Sequence, residues 1–234
     1  MIKAIMLDCG GVMVAPVNGD WLLPPAYEEV LGTRFVERID EFRKARAPFL
    51  PLLPDTRRID DDETECALFI RYFDAALSAM GVRLGQEQLK TLASLQTYRD
   101  DRYIFFDDVV PFLRKWSKTY RLGIVSDAPP STRRIMQGAG VLSTMQGVTF
   151  SCDLGVLKPD PRIYQATLSQ LGVQPEEAIF VDDIPEKLEG ATRLGVKGIQ
   201  MRRPMPSPYA MPSRWDGPVA HDFAELDTLL KAIE

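Results

Sequence analysis

The sequence predicts an α/β fold, a Rossmann-like parallel-sheet core carrying an inserted α-helical domain. Short apolar runs each end on a polar residue: Ile5-Met6-Leu7 on Asp8, Gly123-Ile124-Val125 on Ser126, Ile179-Phe180-Val181 on Asp182. Beyond about residue 103, strand-like and helix-like segments alternate, the pattern of a parallel sheet with helices on both faces. From about Asp20 to Asp101 the apolar period is helical, with no convincing buried strand.

Residues 2–7 read as a buried strand that ends at Asp8 and turns at Gly10-Gly11. The helical insert follows, with Cys66, Ile70, Phe73, Leu77 and Met80 on one face and a second helix from Gln86. Pro48, Pro51 and Pro54 mark a loop between its helices, and Gly81 and Gly85 mark a turn. The expected division is a core of residues 1–18 and 103–234 with a helical domain over 19–102.

In the second part of the core, Val109, Phe112, Leu113 and Trp116 line one side of a helix over 109–119. A strand over 122–125, a helix over 131–138 and a short strand over 148–150 follow. The helix over 161–171 opens with Asp160 as N-cap and Pro161 in its first turn, and Gly172 closes it. Residues 178–181 form a strand that runs into Asp182-Asp183. A helix over 186–194, a strand over 198–201, a proline-rich loop over 202–218 and an amphipathic helix over 222–233 complete the chain.

The chain has 234 residues, 45% hydrophobic and 26% charged, the balance of an ordinary globular protein. Its formal net charge of −5 argues against nucleic acid as partner, since such binders show a basic stripe. No apolar run approaches the ~20 residues that span a bilayer, which argues against a membrane partner. The N-terminal apolar segment is too short for a signal-peptide core. Three cysteines without ligand spacing fit a cytoplasmic protein. A single histidine, His221, argues against a histidine-based triad.

In an open parallel sheet, ligands bind outside the carboxyl ends of the strands. Asp8, Ser126, Asp182 and Asp183 therefore converge on one cleft. One such Asp would be an ordinary turn residue; several at corresponding strand ends point to a site. Three carboxylates in one cleft repel each other, and a hard cation held by oxygen, Mg²⁺, relieves this. Asp8 beside it is placed to attack phosphorus. Ser126 offers hydrogen-bond donors to a phosphoryl group, and Lys158, between Leu157 and Pro159, offers a positive charge.

These residues, in this order, resemble the haloacid dehalogenase superfamily, most of whose members are phosphatases. Asp8-Cys9-Gly10-Gly11-Val12, Ser126, Lys158-Pro159-Asp160-Pro161 and Asp182-Asp183 are similar to its four ordered motifs. The resemblance implies Asp8 as nucleophile and Lys158 as the residue that orients nucleophile and phosphate. It implies Ser126, Asp127 and Gly11 around the substrate. It implies Mg²⁺ on Asp8, the Gly10 carbonyl, Asp182 and Asp183. The insert resembles the helical cap of one subgroup, which closes over the site and selects the substrate. The implied function is hydrolysis of a small phosphorylated metabolite through an aspartyl-phosphate on Asp8, by a monomer or homodimer.

One position departs from the pattern. The family's second Asp, its general acid and base, is Gly10 here, and such a group typically contributes ~10²–10⁴-fold in rate. A substrate with a good leaving group, an acyl phosphate or a sugar 1-phosphate, would need it less; alternatively Asp127 or a cap residue supplies the proton. The competing readings are a phosphate-binding protein with weak or no turnover, an interaction module, and a 2-haloacid dehalogenase. Gly10 argues against the last, whose members carry an aromatic residue there. Arg34, Arg38, Arg43 and Arg46 are available in the insert for the halide-cradling arginine of such dehalogenases, and a solvated helix face explains them as well. Cys9 reads as a space-filler, Trp21 and Tyr27 as hinge packing, Arg57-Arg58 as a solvated loop and Arg202-Arg203 as exposed strand-end residues, with contact to an anionic substrate as the alternative.

Overall fold

The computed structural model describes residues 1–52, 59–204 and 214–233. The chain opens with β1 (Ala4–Leu7), turns through Gly10-Gly11 into β2 (Val14–Pro16) and leaves the core. Among the described residues the insert carries four α-helices: α1 (Glu28–Leu31), α2 (Ile39–Arg46), α3 (Asp62–Ala79) and α4 (Gln86–Tyr98). β3 (Tyr103–Phe105) brings the chain back, antiparallel to β2 with Val14 opposite Phe105. The core continues with α5 (Val109–Trp116), β4 (Arg121–Ser126), α6 (Pro130–Gly138), β5 (Gly147–Phe150) and α7 (Ser151–Leu154). It ends with α8 (Pro161–Leu171), β6 (Ala178–Asp182), α9 (Pro185–Thr192), β7 (Lys197–Met201), β8 (Val219–Ala220) and α10 (Phe223–Ile233).

Six strands form one sheet in the order β5-β4-β1-β6-β7-β8, every pair parallel. β1 lies inside it, buried on both faces, which is why its four residues are all apolar. Ile5 and Leu7 face one layer with Phe112, Trp116 and Phe223; Ala4 and Met6 face the other with Tyr164, Leu168 and Leu188. Leu7 stands opposite both Ile124 and Val181. That register brings the ends of β1, β4 and β6 to one level, so Asp8, Ser126 and Asp182 emerge together.

The insert has its own core of Tyr27, Phe35, Phe42, Phe69, Tyr72, Phe73, Leu77 and Leu92. The inward face of α3 is broader than the period of Cys66, Ile70 and Phe73 implied. Phe69, Tyr72 and Ala76 are buried while Cys66 and Ile70 are half-buried, because α3 packs against both α2 and α4. α8 has the expected bounds, with the Asp160 side chain accepting from Arg162 N and Gly172 in the left-handed region at its end.

Two features go beyond the sequence reading. The β2–β3 ribbon, extended by Val17 N donating to Arg102 O, carries both ends of the insert. β8 extends the sheet directly after the proline-rich stretch. Of that stretch, residues 205–213 lie outside the described residues, as do Pro54 and Arg57-Arg58. No helix among the described residues is long and apolar enough to cross a membrane.

Candidate active site

A cleft of about 360 Å³ opens between the carboxyl end of the sheet and the insert. Asp8, Cys9, Gly10, Ser126, Asp127, Asp183 and Lys187 line it from the core, and Trp21, Phe69, Gln96, Arg102 and Tyr103 from the insert and its ribbon. This is the small end of the ~300–1,000 Å³ typical of ligand sites, room for a small metabolite.

Asp8 is fixed by its backbone, whose N–H donates to Val181 O at 2.9 Å. Its Oδ1 is 3.0 Å from Lys158 Nζ, an ion pair without hydrogen-bond geometry. Burial raises the Asp8 carboxyl, but Lys158, Lys187 and the Ser126 hydroxyl outweigh it, so Asp8 is held below the usual carboxylate range. A buried carboxylate kept ionised and aimed into a cleft is suited to nucleophilic attack.

Lys158 is buried. Its ammonium donates to Asp182 Oδ2 at 2.6 Å and Val125 O at 3.2 Å in addition to the Asp8 pair. Burial works against that charge, and Asp182, Asp8 and Asp127 hold the ammonium well above its ordinary range. The other Asp182 oxygen, Oδ1, accepts from Ile184 N at 2.8 Å. Asp182 is thus turned toward Lys158 and the start of α9, while Asp183 faces the cleft.

Gly11 has a task different from the expected substrate contact. Its N–H donates to Val14 O, and it does not line the cleft. Its φ is +69°, and a β-carbon there would lie 2.4 Å from Asp183 Oδ2. Glycine at 11 makes room for the Asp183 carboxylate.

Asp8, Asp182 and Asp183 each offer an oxygen within 4.8 Å of the others. Burial, with the charges of Asp182 and Asp8, pushes the Asp183 carboxyl up to about 8. Burial and the Asp8 charge also raise Asp182, against the pull of Lys158. An all-oxygen set whose members repel each other is a chemical fit for a hard divalent cation such as Mg²⁺.

Asp127 lines the cleft and is held twice. Oδ1 accepts from Lys158 N at 2.8 Å, and Oδ2 is 3.1 Å from Lys187 Nζ. Gly10 also lines the cleft, and the Trp21 indole lies directly over it. Trp21 is therefore a wall of the site as well as hinge packing, whereas Tyr27 is buried inside the insert. Cys9 is buried, and burial together with the Asp8 charge raises its thiol, which leaves it protonated and inert.

Of the four insert arginines, Arg34 and Arg38 lie at the surface as expected, while Arg43 and Arg46 do not. Arg43 and Arg46 both reach the buried Asp20, at 2.9 and 2.7 Å. Arg38 pairs with Glu41 on the surface. Arg203 is neither exposed nor in the cleft: it lies between the Phe106 and Phe223 rings and donates to Asp108 and Val12 O.

Lys187, Arg102, Gln96 and Glu65 escaped the sequence reading. Glu65 of α3 accepts from Ser131 Oγ and Ser131 N, at 2.6 and 3.1 Å, which ties the insert to the start of α6. Arg102 donates to Gln96 O and Ser131 Oγ, both at 2.6 Å, and stacks on Tyr103. Burial raises the Glu65 carboxyl despite Arg102 nearby. Lys187 carried one readable sign: it is a cation in the first turn of a helix, where the dipole disfavours it.

A profile of haloacid dehalogenase-like hydrolases matches residues 2–195. The chain is 29% identical over 227 residues to phosphoserine phosphatase of Thermus thermophilus, covering 86% of this chain and 89% of that one. It is 30% identical over 140 residues to glyceraldehyde 3-phosphate phosphatase of Methanopyrus kandleri, covering 57% of this chain and 59% of that one. The fold matches L-2-haloacid dehalogenase from Xanthobacter autotrophicus with a TM-score of 0.71 over 100% of both chains at 19% identity. It matches an HAD phosphatase from Thermococcus onnurineus with a TM-score of 0.62 over 98% of both chains at 23% identity.

Proposed function

The chain belongs to the haloacid dehalogenase-like hydrolases, and on that premise we propose that it is a Mg²⁺-dependent phosphatase of small phosphorylated metabolites, with Asp8 as nucleophile. The observation that carries this reading is an ionised, buried Asp8 flanked by Ser126 and Lys158 in a cleft of metabolite size.

In this reading an Asp8 oxygen forms a bond to phosphorus as the bond to the leaving-group oxygen breaks. Water then attacks the phosphorus of the aspartyl-phosphate, and phosphate departs with the Asp8 carboxylate restored. Ser126 donates to the phosphoryl group, and Lys158 keeps Asp8 ionised. Asp8, the Gly10 carbonyl and Asp183 would hold Mg²⁺, with Asp182 beside them neutralising Lys158. The ion supplies positive charge that offsets the repulsion between the carboxylates and the phosphoryl oxygens. Trp21 over Gly10 excludes water from the leaving-group side, and Gly10 offers no proton there. Substrates whose leaving groups depart without one, acyl phosphates and sugar 1-phosphates, are therefore favoured.

The test is Mg²⁺-dependent phosphate release from a panel of phosphoesters, sugar 1-phosphates and acyl phosphates. Turnover is expected in the parent, and Asp8→Asn should lower it by about 10³-fold or more. Equal rates in parent and Asp8→Asn would overturn the assignment. The missing acid at Gly10 favours one second reading, phosphate binding without turnover. It predicts saturable phosphate binding and no release from any member of the panel.

A further inference from the structure

Lys158 donates its ammonium to Asp182 Oδ2 and Val125 O and pairs in charge with Asp8 Oδ1 at 3.0 Å. An ammonium has three N–H donors. In this arrangement two of the three donors of Lys158 are used by Asp182 and the β4 backbone and its charge is shared with two carboxylates, so a phosphoryl group entering the cleft with up to two negative charges calls for a second cation.

Lys187 lies on the wall of the same cleft, beside Asp127 and Asp183. Its placement is unfavourable on three grounds. Its side chain is only 19% exposed. It occupies the first turn of α9, where the dipole repels a cation. It also feels the charge of Lys158, although Asp182, Asp127 and Asp8 outweigh burial and Lys158 and hold its ammonium above the ordinary range. A surface lysine avoids all three, and costs of this kind gather at functional sites.

The fold spends further contacts on holding it there. The Lys187 carbonyl accepts from Tyr164 Oη at 2.7 Å, and Tyr164 is buried edge-on against Phe180. Gly190, one turn on in α9, meets Pro159: a β-carbon at 190 would lie 2.5 Å from Pro159 Cβ. α9 is thereby set against the Lys158-Pro159 segment at a distance only glycine allows. Asp127 completes the register, with one oxygen on Lys158 N and the other on Lys187 Nζ. The ion pair to Asp127 leaves other N–H directions of this ammonium for a ligand.

We propose that Lys187 donates to a non-bridging oxygen of the phosphoryl group and supplies a second cation beside Lys158. The inference deepens the phosphatase reading and rests on it. Asp127 is the anchor that holds the Lys187 ammonium at the cleft wall when no phosphoryl group is bound.

The test is calorimetric titration of the Mg²⁺-loaded protein with inorganic phosphate, alongside kinetics with the best substrate of the panel. Lys187→Met should weaken phosphate binding by about tenfold or more and raise KM in proportion, whereas Mg²⁺ affinity stays within about twofold. Lys187→Gln, which keeps a donor to Asp127, carries the same expectation should the methionine variant fail to fold. Phosphate affinity and KM equal to the parent's would overturn the proposal, whether or not the melting temperature falls, because Lys187 would then be only a structural partner of Asp127. The two readings fail separately. A parent that binds phosphate through Lys187 but hydrolyses nothing overturns the phosphatase reading alone. A parent that turns over, with Lys187→Met unaltered in KM and phosphate affinity, overturns this proposal alone.

Discussion

The Trp21 indole packs onto Gly10 so closely that a β-carbon built on Gly10 would lie 3.3 Å from Cη2 and 3.4 Å from Cζ2. The indole is held in place: its ring is edge-on to Tyr103 at 5.5 Å, and its carbonyl accepts from Gln96 Nε2 at 2.9 Å. The absent side chain at position 10 and the aromatic ring 11 residues later are two halves of one packing arrangement.

It follows that Gly10→Asp does not simply restore a missing acid. The indole must give way by a few tenths of an ångström for the new β-carbon, and overpacking of this kind costs typically ~1–3 kcal/mol. Gly10→Asp should lower the melting temperature, and adding Trp21→Ala should recover part of the loss. A double-mutant cycle of thermal melts measures this, with an expected coupling of ~0.5–3 kcal/mol. Strict additivity would mean that the indole and the new carboxylate do not compete for space.

The acidic cluster makes stability depend on pH in a stated direction. Asp183 is raised in the fold to about 8 from an ordinary 3.8. A raised carboxyl contributes stability that is complete below its unfolded value and is lost as pH rises through its folded value. Without divalent cation, the protein should lose stability between about pH 4 and about pH 8. Added Mg²⁺ should raise the melting temperature more at the upper end than at the lower, because binding there displaces little proton. Melts at both ends, with and without Mg²⁺, decide it; an equal Mg²⁺ effect at both would count against Asp183 as a ligand.

Glu65 ties the insert to α6 through a buried carboxylate. Glu65→Ala removes the acceptor for Ser131 and leaves Arg102 without its nearest countercharge; breaking a buried pair costs ~3–5 kcal/mol, readable in urea unfolding. The carboxyl is raised by burial. The parent should therefore lose stability relative to Glu65→Gln as pH rises above the ordinary glutamate value, about 4.3. A difference between the two that does not change with pH would show that Glu65 titrates normally.

Arg203 is expected to matter for folding and not for substrate. Its guanidinium stacks between Phe106 and Phe223 and bonds Asp108 through two nitrogens. Lysine reproduces neither the stack nor the fork. Arg203→Lys should lower the melting temperature and leave KM within about twofold. A rise in KM without loss of stability would return Arg203 to the substrate.

The parts of this architecture that were legible in the sequence were local in origin. The apolar runs before Asp8, Ser126 and Asp182 mark buried strands, and the parallel register then aligns their ends. Asp160, Pro161 and Gly172 bracket α8 because capping depends on neighbours in the chain. The β2–β3 ribbon was not legible: its three-residue strands pair across the 86 residues that lie between Pro16 and Tyr103. Nor were the tasks of Gly11 and Trp21, since each depends on one distant residue, Asp183 for the first and Gly10 for the second. Lys187 and Arg102 look like surface cations in the sequence, and only the half-buried Asp127 and the buried Glu65, supplied by other elements, show otherwise.

The ribbon formed by β2 and β3 has a consequence for how this protein can be altered. Both ends of the insert emerge side by side on hydrogen-bonded strands, and the helices between them pack on one another around their own aromatic core. Chain segments with adjacent ends and their own core are the ones that tolerate transplantation. The whole span between Pro16 and Tyr103 is in that sense an exchangeable cassette. A graft from a relative would have to reproduce the ribbon, the Glu65–Ser131 and Arg134–Asp62 contacts and the packing of Trp21 on Gly10 if the strands beneath it are to stay where they are.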